Sequence, residues 1–111
     1  MNDLDFNDSI DNIFMSIEEQ LDKHIDEQES DIDYETSSGI LTLIMPNQSQ
    51  IILNRQRANH QLWMASKSGG YHFVYNEKSL HWENTRNKDL FIESLNTCIK
   101  EQCDENILIK L

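Results

Sequence analysis

The chain is predicted to be an α+β fold. An antiparallel sheet of about six strands is covered on one face by N- and C-terminal helices, giving a two-layer sandwich. Three observations predict it. Apolar residues recur at helical period near both ends of the chain. Between them lie short alternating runs joined by turn residues, the pattern of sequential antiparallel strands. The 111 residues, 38% apolar and 26% charged, fit one domain spanning 1–111 with one modest core.

Residues 3–25 carry the first helix. Leu4, Phe6, Ile10, Ile13, Phe14, Ile17, Leu21 and Ile25 recur at spacings of three and four and form one apolar stripe. At about 100° per residue, Asp11, Glu18 and Asp22 share a flank of the opposite side, with Asp8, Glu19 and Asp26 beside them. Glu18 and Asp22 form an i,i+4 like-charge pair, which costs a helix about 0.2–0.5 kcal/mol. Helix stability therefore does not explain the pattern.

A loop leads into a first strand at 31–35. Period two there puts Asp31, Asp33 and Glu35 on one face, with Ile32 and Tyr34 on the other. The next strand, 40–45, ends at the turn Pro46-Asn47-Gln48. Residues 51–56 and 60–66 alternate, placing Ile51, Leu53, Leu62 and Met64 toward a core. Gly69-Gly70 is expected to turn a hairpin into 71–75, and a short last strand surrounds Trp82 at 80–83. Residues 88–102 return to helical period, with Asn87 as the expected N-cap and Phe91, Leu95, Cys98 and Gln102 along one side. The apolar tail 106–111 is expected to cover the core edge.

Charge carries the first functional signal. Thirteen of the twenty acids lie in the first 35 residues against one base, Lys23, so that segment holds −12 of a net −11. This argues against nucleic-acid and anionic-membrane partners. No apolar run approaches the ~20 residues of a membrane span. The opening MNDLDFNDSI lacks the basic and apolar regions of a signal peptide, so a cytoplasmic location is expected. There is no phosphate loop, nucleophile elbow or HExxH, and the four histidines stand at no ligand spacing. Asp31-x-Asp33-x-Glu35 begins like an EF-hand loop, but Thr36 and Thr42 occupy its glycine and glutamate positions. Cys98 and Cys103 stand five apart, with no others to complete a zinc site, and are expected as free thiols on a helix.

What remains is a carboxylate ridge, Asp11, Glu18, Glu19, Asp22, Asp26, Asp31 and Asp33. It is suited to weak, unselective binding of hard cations such as Fe, Mn, Mg or Ca, or to docking a basic protein surface. Trp63 gives a second signal. If Leu62 and Met64 face the core, Trp63 faces out, near Asn54, Gln56 and Gln61, as an exposed interface anchor.

The runs Gly39-Ile-Leu-Thr-Leu, Ile52-Leu-Asn-Arg-Gln56, His60-Gln-Leu-Trp-Met-Ala65 and Ser68-Gly-Gly-Tyr-His-Phe73 resemble the frataxin family, most of all its bacterial branch, CyaY. The opening helix, with Ile17-Glu-Glu19 and Leu21-Asp22, is similar too. The resemblance spans essentially the whole chain and implies the same sandwich. It implies a non-enzymatic, iron-dependent regulator of iron–sulfur cluster assembly that contacts the cysteine desulfurase and the cluster scaffold protein. Iron, as Fe2+ or Fe3+, would be bound weakly at Glu18, Glu19, Asp22, Asp31 and Asp33, with Asp3 nearby. Partner contacts would fall on Glu18, Glu19 and Asp22 and on Asn54, Gln56 and Trp63. A monomer is expected, with iron-dependent oligomers as the alternative state. The alternative function is an iron chaperone or store with ferroxidase-like activity. Asn7 stands where relatives can carry a histidine.

Overall fold

The computed structural model describes residues 1–111. The order is α1 (Asp3–Gln28), β1 (Asp33–Ser37), β2 (Ile40–Ile44), β3 (Gln50–Gln56), β4 (Gln61–Ser66), β5 (Gly69–Asn76), β6 (His81–Asn84) and α2 (Phe91–Gln102). The six strands form one antiparallel meander in chain order. Both helices cover one face, as the alternation predicts.

Helix α1 begins where Asn2 caps it, accepting the Asp5 N–H at 2.7 Å. It runs three residues beyond the expected end, because nothing in Asp26-Glu27-Gln28 breaks a helix. Glu29 closes it in the left-handed conformation, its N–H returning to the Ile25 carbonyl. Phe6, Ile10, Phe14, Ile17 and Leu21 are buried, as the stripe requires. Leu4 is the exception, at 68% exposed: at about 100° per residue it falls off the buried stripe, on the flank that carries Asp11 and Asp22.

The inward rows of the sheet are read from register. Leu41, Leu53 and Met64 stand opposite one another, and Leu62 stands opposite Phe73. All five are buried in one core cluster with the helix residues. Two turn assignments differ from expectation. The hairpin between β4 and β5 is turned by Lys67-Ser68, because Ser66 already pairs with Gly69. Gly69 instead opens β5 with φ at +139°. Nor does Asn87 cap α2: its side chain accepts the Asp89 N–H, and the helix starts after Leu90 without a side-chain cap. The loop is instead held to the sheet edge, where Glu83 bridges to Leu90 and the Asn84 N–H donates to the Asp89 carbonyl.

Side-chain amides tie the C-terminal parts down. Buried Gln102 accepts the Lys67 N–H and donates to the Ser49 hydroxyl and the Gln50 carbonyl, clasping the end of α2 to two hairpins. Gln20 of α1 and Asn96 of α2 each exchange two hydrogen bonds with the backbone of the tail, at Lys110 and Ile109. Both cysteines are free and buried. Cys98 lies on α2, while Cys103 lies one residue past its end, a correction to the expectation of two helical thiols. No helix is long and apolar enough to cross a membrane.

Candidate functional site

The acidic ridge forms where the Glu18–Asp22 part of α1 reaches the edge strand β1; the N-terminal half of the helix lies farther across the sheet, with Asp11 at Arg55 of β3 and Phe6 against Trp82 of β6. Two side chains on the helix-facing side of β1 join the strand to the helix. The Tyr34 hydroxyl donates to the Asp22 carboxylate at 2.7 Å, and the Thr36 hydroxyl to Glu18 at 2.8 Å. Asp33 and Glu35 alternate with these residues and turn to the outer side of the sheet. Asp31 precedes the strand but keeps the alternation, exposed beside buried Ile32. The carboxylates therefore wrap the sheet edge, with Glu18 and Asp22 on its helix side and Asp31 and Asp33 on the other. Asp26 and Glu19 are exposed farther round the helix.

The predicted ligands fall into two groups. Asp11 is in an ion pair with Arg55, and Asp3 is 2.5 Å from His60 Nε2. Neither Arg55 nor His60 had a local signal, since each meets an acid more than forty residues away in sequence. Glu18, Glu19, Asp22, Asp26, Asp31 and Asp33 are in none of the molecule's four salt bridges. Crowded anions leave a mark on Tyr34. The hydrogen bond to Asp22 raises its pKa most, followed by burial and the charges of Asp22, Glu18 and Asp33, to about 12.

The donor set is oxygen only, which suits hard cations. No three His, Cys, Asp or Glu side chains converge where an ion would sit, so the surface offers shallow contacts and no chelating cage. Three of the four histidines have other partners. His24 bonds Glu105 at 2.7 Å, where Ser30 and then His24 hold the Glu105 carboxyl below the usual carboxylate range. His60 stacks on Phe6, and His72 on Trp63.

Trp63 does lie on the outer face. Register places it between Asn54 and His72, with Leu62 and Met64 buried on the opposite face. It is half-buried, because its indole stacks on the His72 ring at 4.1 Å with an 8° interplanar angle. Its N–H donates to Gln61 at 2.8 Å. Asn54 and Gln56 are half-buried on the same face of β3, where their register partners on β4 are Trp63 and Gln61. No helix covers this face.

The frataxin-like domain profile matches residues 1–105. An iron–sulfur cluster assembly protein CyaY from Photobacterium profundum is 45% identical over 103 residues, covering 93% of this chain and 89% of its own. The CyaY of Albidiferax ferrireducens is 37% identical over 102 residues, covering 92% of each. Among solved structures, frataxin from Psychromonas ingrahamii superposes with a TM-score of 0.83 at 33% identity and full coverage of both chains. Trimeric yeast frataxin complexed with ferrous iron gives a TM-score of 0.68 at 26% identity, covering 95% of this chain and 88% of its own.

Proposed function

The chain belongs to the frataxin-like family, and on that premise we propose that it is an iron-dependent regulator of iron–sulfur cluster assembly. The observation that carries this reading is a group of six carboxylates without a counterion: Glu18, Asp22, Asp31 and Asp33 wrap one sheet edge, and Glu19 and Asp26 stand exposed farther round the helix. Iron is bound there as an effector, weakly, by hard oxygen donors without a cage. The ferrous complex of yeast frataxin supports the choice of metal. The same edge meets a basic surface of the cysteine desulfurase. Iron at the ridge lowers its negative charge and so changes the docking.

The second contact is the outer face around Asn54, Gln56 and Trp63, which meets the desulfurase–scaffold complex. Trp63 offers the large, rigid ring that interfaces favour. The protein acts by binding, not by turnover, in the cytoplasm. A surface of separate carboxylates lacks the preorganised site that ferroxidase chemistry requires.

The test is desulfurase activity with and without this protein, at low and high iron. Regulation predicts that the protein changes the rate and that iron changes the size of the effect. A rate indifferent to the protein at every iron concentration would count against it.

A further inference from the structure

We infer that Arg55 takes Asp11 as a structural counterion and so keeps cations from that position of α1, while Glu18, Glu19 and Asp22 stay open to them. The inference rests on the cation-binding reading above. Arg55 follows Ile51 and Leu53 on the inward row of β3, where the pattern would place another apolar residue. Its side chain is only 9% exposed, and its guanidinium carbon lies 5.8 Å from the Phe14 ring centre.

A guanidinium does not give up its proton, so a buried one needs an anion. Arg55 finds two partners, both on α1. Nη1 donates to Asn7 at 3.1 Å, and Nη2 to Asp11. Its Nε is buried without any partner. The hydrogen bonding of the head group therefore depends on these two contacts, and Asp11 is its one ion-pair partner. A cation binding Asp11 would strip a buried charge of its counterion. At Glu18, Glu19 and Asp22 no such partner stands in the way.

Removing either partner of the pair should have unequal effects. The Asp11 side chain is 55% exposed and can fall back on water, whereas Arg55 cannot. The experiment follows side-chain carboxyl carbons by NMR while calcium, a hard diamagnetic cation, is titrated. Glu18, Glu19 and Asp22 should shift together, and Asp11 only at about tenfold more calcium or beyond. Arg55→Met keeps the apolar bulk and frees Asp11, which should then respond in the same range as Glu18. Asp11 shifting with Glu18 in the unaltered protein would overturn the inference, as would a folded Arg55→Met variant whose Asp11 stays silent. If no carboxyl responds to calcium, the cation-binding reading fails, and thermal melting decides the role of Arg55. Asp11→Asn should then lower the melting temperature by about 5 °C or more, with Glu19→Gln leaving it level or raising it. An Asp11→Asn protein as stable as the original would overturn the pairing itself.

Discussion

Tyr34 reports on the ridge more directly than any of the acids in it. Its hydroxyl donates to Asp22, and neighbouring carboxylates oppose the phenolate, which raises the pKa from the usual 10 to about 12. A folded-state pKa above the unfolded one contributes stability that is intact below pH ~10 and is lost as the pH rises from about 10 to about 12. An ultraviolet titration should show Tyr34 ionising near pH 12, and Asp22→Asn should bring it back toward 10. A Tyr34 that ionises near 10 in the unaltered protein would show that the bond is absent in solution. Trp63 makes the complementary case. It is half-buried by His72 on the outer face and adds little to the core, so Trp63→Ala should cost well under the ~3–5 kcal/mol of a buried tryptophan. Melting measures this directly, and desulfurase binding should weaken in the same variant. The outward facing of Trp63 was legible from alternation. Its stack was not, because a turn placed at Gly69-Gly70 would set Asn76 opposite Trp63, while the true turn at Lys67-Ser68 sets His72 there.

At the scale of elements, α1 is the one whose sequence works against its own stability. Asp3 and Asp5 suit its first turn, but its last turn holds acids and no base. Asp26→Lys and Glu27→Lys should each stabilise the fold by about 0.3–1 kcal/mol, seen as a higher melting temperature. If both variants melt lower, the acids at that end have partners that maintain the helix. The apolar stripe made α1 and α2 legible, but the ends were less so. The end of α1 depends on Glu29 adopting a left-handed conformation, which no glycine announces. The chain has only three glycines, and Ser38, Gln48, His60, Leu80 and Lys88 also take positive φ in its turns and loops. Turn chemistry was consequently the weakest of the sequence signals. Gln102 was correctly placed on the buried side of α2. Its clasp on two hairpins joins residues 35 or more apart, which a periodicity cannot show.

Across the whole molecule, a near-neutral body carries a strongly anionic edge. The charge asymmetry was visible in composition alone, but its division was not. Arg55, from the β3–β4 hairpin, neutralises Asp11, and His60 from the same hairpin hydrogen-bonds Asp3, leaving Glu18, Glu19, Asp22, Asp26, Asp31 and Asp33 without a counterion. Self-repulsion there should be relieved by salt and further by millimolar divalent cation, each raising the melting temperature. A melting temperature that falls with both would mean the edge is not under net repulsion. The most direct test of the central claim is desulfurase binding by a protein carrying Glu18→Lys, Glu19→Lys and Asp22→Lys together. If the unpaired edge is the docking surface, that variant should fold and lose binding, and added salt should weaken the unaltered complex. Binding that ignores both the charge reversal and the salt would contradict the account.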